Sequence, residues 1–311
     1  MEETGTGDRL RAWWTAARVH TLPAGAAPVI VGIGIALEQE MFAPWPALAA
    51  LVGALLIQIG TNFANDYYDA IKGVDTPDRE GFTRVTAAGL LRPAAVRDAM
   101  ILTFTASIVL GAYLVYVGGI PILVIGLLSV AAGIAYTGGP MPFGYRGLGD
   151  LFVFVFFGLI AVVGTFYVQA ASIVADPLTR TVPAGTVVLE AGLAGVAMGG
   201  LITAILIINN IRDIEEDRQA GKRTLAVIIG RRWSRVEFLL MVSVAYIVPL
   251  WFIIEGEMIG AGLVFLSLPL AGLVGRAVLS GVDGATLNPA LTNMGRVVLS
   301  YALLFAIGVN L

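Results

Sequence analysis

Cysteine is absent from all 311 residues, and histidine occurs once, as His20. No disulfide framework, thiol nucleophile or cysteine metal site is therefore available, and a lone histidine makes no metal site. Charge is sparse as well, at 13% of residues, and uncharged stretches run over 19–37, 41–65, 99–145, 151–175, 191–211, 238–254, 258–275 and 297–311. No carboxylate falls in the middle of these stretches, which argues against a cation-coupled transporter with acidic groups at the bilayer midplane. No linker or low-complexity tract interrupts the chain, so residues 1–311 read as one domain. Residues 1–20 do not read as a cleavable signal: acidic and basic groups precede Trp13-Trp14, and no small-residue cleavage site follows an apolar core.

What the chain does have is apolar bulk, at 58% of residues and a mean hydropathy of +0.86, the composition of an integral membrane protein. A helix crosses the hydrocarbon core with roughly 20 residues. The 99–145 stretch is too long for one crossing, and Gly118-Gly119-Ile120-Pro121 supplies a turn within it. The expectation is an all-α polytopic membrane bundle of nine transmembrane helices, the last one short. Counted this way, every Lys and Arg except Arg180 falls on one side of the membrane, while Glu38, Glu40, Asp176, Glu255 and Glu257 fall on the other. The positive-inside rule then makes the basic side cytoplasmic and puts the N-terminus there. Residues 1–20 suit an interfacial helix, with Trp13 and Trp14 at headgroup depth and Arg9, Arg11 and Arg18 toward the cytoplasm. The net charge of −3 says little beside this asymmetry, and no nucleic-acid partner is expected.

Two polar signatures interrupt the apolar pattern in matching order. The first is Asn62-x-x-Asn65-x-x-x-Asp69, running on to Lys72, Asp75 and Arg79; the second is Asn210-x-x-Asp213-x-x-x-Asp217, running on to Arg218, Lys222 and Arg223. On a helix, offsets of three and seven residues keep each set on one face. Asp66 and Glu216 add a carboxylate beside each. Helix-end solvation could account for either set alone, but polar groups in apolar approaches such as Leu55 to Ala64 face a bundle interior or a wet cavity. Opposed carboxylates with lysine and arginine close by suit a divalent cation bridging an anion, and a diphosphate fits best. A repeat whose halves face each other would make the second and sixth spans neighbours and bring both signatures to one cavity.

The run Asn65-Asp66-Tyr67-Tyr68-Asp69, with Lys72-Gly73-Val74-Asp75 and Pro77-Asp78-Arg79, resembles the first aspartate-rich motif of the UbiA superfamily of intramembrane prenyltransferases. Asp213 through Arg218, then Gly221 through Val227, resembles the second. Within that superfamily, Thr21-Leu22-Pro23, Thr86 through Leu90, Tyr136 through Pro140 and Gly144 through Asp150 are most similar to the 1,4-dihydroxy-2-naphthoate prenyltransferases of menaquinone synthesis. The resemblance covers about residues 18–235; the last three helices match only in hydropathy.

The resemblance implies two aspartate-motif cytoplasmic loops and a magnesium-dependent transfer from an all-trans polyprenyl diphosphate to 1,4-dihydroxy-2-naphthoate. Diphosphate and carbon dioxide are lost, and demethylmenaquinone is formed at the lipid bilayer. It assigns Asp66, Asp69, Asp213 and Asp217 to catalysis and, with Asn65, to magnesium. Magnesium prefers oxygen ligands and retained waters, so few carboxylates are needed. Lys72, Arg79, Lys222 and Arg223 become anion clamps, and Asn62, Asn210, Tyr136 and Arg146 join the substrate-binding set. For Arg231, Arg232 and Arg235 topology alone is sufficient explanation.

Tyr67, Tyr68, Tyr136 and Tyr145 stand near the cytoplasmic ends of spans, where ring faces could stabilise an allylic cation and exclude water. An interfacial aromatic belt explains any one of them, and Tyr136 rises above it through the family's Tyr-Thr-Gly-Gly stretch. Phe152, Phe154, Phe156 and Phe157 read as packing, and His20 as an interfacial residue. A prenyltransferase for 4-hydroxybenzoate or homogentisate is the nearest alternative; a lipid-binding scaffold would need basic clusters but no paired Asn/Asp motifs.

Overall fold

The computed structural model describes residues 6–73, 84–136, 138 and 142–311, and among these every regular element is helical. The α-helices are α1 (Thr6–Ala17), α2 (Leu22–Glu38), α3 (Pro44–Ile71), α4 (Pro93–Ala135), α5 (Gly149–Val153), α6 (Ala161–Val174), α7 (Leu189–Arg212), α8 (Ile214–Gln219), α9 (Leu225–Ile254), α10 (Leu268–Ser280) and α11 (Gly284–Gly308). A π-helical stretch, Phe154–Ile160, joins α5 to α6, and a 3₁₀ stretch, Ile259–Ser267, leads into α10. Local chemistry sets several of the starts. Proline opens α3 and α4, where its missing N–H is not needed. Thr224 caps α9 by accepting from the Val227 amide at 3.4 Å, and Asp283 caps α11 by accepting from the Thr286 amide at 2.9 Å.

Eight helical stretches among the described residues are long and apolar enough to cross a membrane. One of them, α4, has 43 residues, a length of about 64 Å that is twice the hydrocarbon thickness. It leaves helical geometry at Gly119 (φ 73°, ψ −162°), inside the turn expected from the sequence. A side chain there would collide with the backbone, since a Cβ would lie 2.0 Å from the Thr179 carbonyl oxygen. The break is pinned from both sides: the Ile120 amide donates to Thr179 at 2.9 Å, and the Tyr167 hydroxyl donates to the Gly118 carbonyl at 2.8 Å.

The helices form two lobes. In the first, α3 packs along α4, with α1 laid across α3 and the Trp13 ring edge-on to Phe63. Trp14 on the same helix is 69% exposed. In the second lobe α7 packs on α9, α11 and the π-helical stretch. Small residues allow the closest of these contacts, where a Cβ on Gly158 would meet the Gly199 Cα at 2.3 Å. The main hydrophobic core belongs to this second lobe and to α2 and α6, while the first lobe has only a small satellite core around Phe63, Val96 and Phe104.

The expected side-by-side pairing of the second and sixth spans is not found. Those spans are α3 and α7, and α2 and α6 stand between them instead. The reason is spatial. Helices in contact run 8–10 Å apart, which leaves no room for a ligand between facing carboxylates. The gap between the lobes is the cavity.

Candidate active site

A cavity of about 660 Å³ lies between the lobes, walled by α2, α3, α4, the π-helical stretch, α6 and α7. Its polar end holds Asn62, Asn65, Asp69, Asn209, Asn210, Asp213, Asp217 and Lys222, so both sequence signatures reach one chamber. The first signature lies in the last turns of α3 and not in a loop. The second crosses a joint: α7 ends at Arg212, Asp213 sits between helices, and α8 carries Asp217. Hydrogen bonds from the Asp213 amide to Asn209 O (3.1 Å) and from the Asp217 amide to Asp213 O (2.8 Å) carry the helical register across that joint.

The two signatures meet at Lys222. Its ammonium is 3.6 Å from Asp69 and 3.9 Å from Asp217, and all three side chains are buried. The Tyr145 hydroxyl donates to Asp69, and Arg84 approaches the same carboxylate at 3.4 Å. The Tyr145 ring in turn faces two cations, Lys222 and Lys72, each 4.8 Å from its centroid. Partial desolvation lowers the Lys72 pKa, with Asp69 opposing that shift and Lys222 adding to it. Tyr136 also lines the chamber; burial pushes its phenol pKa well up, and the carboxylates of Asp150, Asp217 and Asp69 add to the rise. It therefore stays protonated, a donor beside negative groups.

Other members of the signatures face away from the chamber or are held at its edge. Asp66 is absent from the wall: its carboxylate accepts the amides of Val85 (3.1 Å) and Thr86 (3.2 Å) and the Thr86 hydroxyl. Asn62 donates to the Ala17 carbonyl (3.0 Å) and to the Thr21 hydroxyl (2.9 Å), fixing the elbow between α1 and α2. Arg18 and His20 line the chamber from that elbow. Asp213 receives two bonds from Arg212, at 2.6 and 2.8 Å, and Arg212 reaches on to Asn209 and Asn288, each at 2.7 Å. Lys72, Arg146 and Arg223 stand outside the wall, and Arg79, with Asp75, lies outside the described residues.

Sequence reasoning missed Arg84, Arg212 and Asn288. Arg84 sat in a basic loop with nothing to single it out. Arg212 had a signal, a guanidinium in the last turn of an apolar helix beside a motif aspartate. The phenylalanine cluster does pack, with Phe152 stacking on Phe143 and Phe156, and Phe157 lying against the main core, but Phe152, Phe156 and Phe157 also line the cavity. A π turn widens the helix and shifts its register, turning these rings inward at a place the ordinary 3.6-residue period does not forecast.

The donor set can be weighed against a divalent cation. Asn65, Asp69 and Asp217 offer oxygens on opposite sides of the mouth, and among the described residues no three carboxylate or imidazole groups converge on one point. Magnesium keeps several waters and uses one or two carboxylates plus substrate phosphates, so a spread donor set of this kind fits it. Away from the mouth the wall is mostly apolar, with Thr61, Ser107, Ser129 and Thr165 set among aliphatic and aromatic side chains. Ile108, Leu123 and Leu127 of α4 line the cavity yet are 52%, 38% and 56% exposed, so the chamber opens sideways through the face of α4.

Comparison with known proteins gives the family and the fold. Residues 26–290 match the UbiA prenyltransferase family. The chain is 37% identical over 310 residues to 1,4-dihydroxy-2-naphthoate octaprenyltransferase of Escherichia coli, covering 97% of this chain and 96% of that one. Its fold is similar to that of a UbiA homolog from Aeropyrum pernix, with a TM-score of 0.70 and 17% identity over 90% of this chain and 96% of that one. A UbiA homolog from Archaeoglobus fulgidus bound to GPP and Mg2+ aligns with a TM-score of 0.60 and 15% identity, over 94% and 99% of the two chains. By its family match and its relatives, the chain belongs to the UbiA prenyltransferase family.

Proposed function

We propose that the protein joins the prenyl group of an all-trans polyprenyl diphosphate to 1,4-dihydroxy-2-naphthoate, with loss of diphosphate and carbon dioxide. The product is the reduced form of demethylmenaquinone. The observation that carries this reading is Lys222, set between Asp69 and Asp217 at the polar mouth of an apolar cavity. A molecule with a strongly anionic head and a long apolar tail matches both ends of that chamber. The acceptor follows from the relatives that bear this activity in their names, at 32–37% identity over most of the chain.

Magnesium, held by Asn65, Asp69 and Asp217 with Asn210 and Asp213 nearby, would neutralise charge on the departing diphosphate. The protein's own residues do the rest. Lys222 and Arg84 supply positive charge where the diphosphate oxygens would lie, with Lys72 adding to the field from outside the wall, and arginine suits bidentate phosphate contact. Tyr136 keeps its hydroxyl proton beside the anionic groups while its ring lines the chamber where the allylic cation would form, and Tyr145 donates to Asp69 with its ring against Lys222 and Lys72. Phe152, Phe156 and Phe157 keep water from the reacting carbon. The ring carbon bearing the carboxylate then attacks, its electron pair forming the new carbon–carbon bond. The bond to the carboxylate breaks, carbon dioxide leaves, and its electrons restore the aromatic ring. No covalent nucleophile is required; positioning and electrostatics carry the rate.

The same reading takes the break at Gly119 as the point where α4 turns back, giving nine crossings, and places the chamber mouth at the cytoplasmic face with most of the lysine and arginine. Cysteines introduced at 36–44 and at 84–97 should label from opposite sides. For the chemistry, purified protein with magnesium and one prenyl diphosphate should be offered the naphthoate, 4-hydroxybenzoate and homogentisate side by side. The naphthoate should be preferred and a chelator should stop the reaction; preference for a benzenoid acceptor would overturn the acceptor assignment alone.

A further inference from the structure

Five aspartates are buried among the described residues: Asp66, Asp69, Asp150, Asp213 and Asp217. Four of them are held as anions. Asp66 accepts two amides, Asp213 is clasped by Arg212, and Asp69 and Asp217 stand beside Lys222. Asp150, in the first turn of α5, is different. It is 5% exposed, and its Oδ1 is buried without a hydrogen-bond partner. Among the described residues no lysine or arginine forms an ion pair with it. A carboxylate gripped by cations or amides has its lone pairs occupied, whereas a bare oxygen in a dry place has room for a proton.

The group placed to deliver that proton is Tyr136. Its ring packs against two glycines: a Cβ on Gly144 would stand 3.0 Å from the Tyr136 Cε1, and one on Gly149 would stand 3.2 Å from the Tyr136 hydroxyl. The hydroxyl thus reaches the residue just before Asp150, and the Asp150 carboxylate is the foremost charge acting on that phenol. Tyr136 lines the chamber and Asp150 does not, so Asp150 acts on the chamber through the tyrosine. Glu237 of α9 is the other titratable group that feels the Asp150 charge.

Taking the prenyl-transfer reading as given, we propose that Asp150 is a positioning residue, the far end of a proton shuttle through Tyr136 that holds the acceptor's hydroxyl proton while the new bond forms. As the ring carbon bearing the carboxylate attacks the allylic carbon, the hydroxyl on the adjacent ring carbon becomes a carbonyl. Its proton passes to the Tyr136 oxygen, and the proton of Tyr136 passes to Asp150, so the tyrosine is not left as an anion. The β-keto carboxylate so formed loses carbon dioxide. The electron pair of the broken bond returns through the ring to the carbonyl oxygen, which takes a proton back from Tyr136, and Tyr136 recovers one from Asp150. Every proton taken is returned, and no oxidant or further base is needed.

The test compares Asp150→Asn with wild type, as full-length protein in phosphatidylcholine vesicles with magnesium, octaprenyl diphosphate and 1,4-dihydroxy-2-naphthoate, in the absence of oxygen. Near neutral pH, kcat should fall by about a hundredfold, the lower bound for a lost proton acceptor, with KM for both substrates little changed. Raising the pH delivers more acceptor already ionised, so the wild-type-to-variant ratio should shrink by about tenfold per pH unit. Ionisations common to both proteins drop out of that ratio, and its slope does not depend on how much variant is folded. A ratio of one throughout, or a loss that is the same at every pH, overturns the shuttle. Should Asp150→Asn be inactive at every pH, Tyr136→Phe, which cuts the shuttle at its other link, decides by the same slope. Wild-type protein that prenylates no acceptor would instead sink the prenyl-transfer reading on which the shuttle rests.

Discussion

In the α3–α4 lobe the motif side chains are tied down mainly by backbone groups, Asp66 by the amides of Val85 and Thr86 and Asn62 by the Ala17 carbonyl, each with one threonine hydroxyl beside them. In the α7–α9–α11 lobe the equivalent work falls to side chains, with Arg212 clasping Asp213 and reaching Asn209 and Asn288. The difference follows from where each motif is buried. The first lobe has little core of its own, and a loop with free amides lies against it. The second motif ends inside the main core, where Arg212 and Asp213 side chains are each 2% exposed. A carboxylate that deep needs a countercharge with its remaining donors satisfied. Each motif thus keeps one acidic residue for holding the frame and turns another, Asp69 or Asp217, toward Lys222.

The comparison breaks most visibly at Arg212. Replacing it with methionine strands the Asp213 charge and should cost about 3–5 kcal/mol of stability, read as unfolding in detergent. Adding Asp213→Asn should recover most of that loss; no recovery would mean that the pair is not what holds the joint. Next come Asp69→Asn and Asp217→Asn, which should each lower turnover by about a hundredfold or more while unfolding stays near wild type. Wild-type turnover by Asp217→Asn at limiting magnesium would refute a site shared by the two lobes.

Asp66→Ala separates the frame from the chemistry. It should cost about 1–3 kcal/mol by leaving two amides unpaired and expose residues 84–91 to proteolysis, with a smaller loss of turnover than Asp69→Asn. Equal losses would instead make Asp66 a second ligand of the site. The smallest effect belongs to Tyr145→Phe, which removes one hydrogen bond to Asp69 but keeps the ring over both ammonium groups. A loss of about 0.5–1.5 kcal/mol in kcat/KM is expected, and Tyr145→Leu should lose more because the cations lose their aromatic face as well.

Much of this arrangement was legible in the sequence. Apolar length placed most of the helices, and the Gly118–Pro121 turn fell at the observed break. The last span, expected to be short over 297–311, instead runs as α11 from Gly284 to Gly308, because Asn288, Asn293 and Arg296 interrupt its apolar run without ending the helix. The repeated Asn/Asp spacing named the residues at the mouth, because a polar group in an apolar helix has few places to go. What spacing could not reveal is partnership. Asp66 and Asp69 differ by three positions on one helix, and only the fold of residues 84–86 against α3 decides that one meets amides and the other a lysine. The lateral relation of α3 and α7 was invisible for the same reason, since a repeat shows that two segments are alike and not what separates them. The π turn escaped because its register shift leaves the hydrophobic pattern almost unchanged.

The side opening through α4, where Ile108, Leu123 and Leu127 are cavity wall and outer surface at once, makes the membrane itself the reservoir for the apolar reactant and product. Encounter then takes place in two dimensions. The concentration that governs saturation is a mole fraction among lipids, so adding inert lipid at constant amounts of protein and donor should slow the reaction by dilution, while changing the volume of buffer should not.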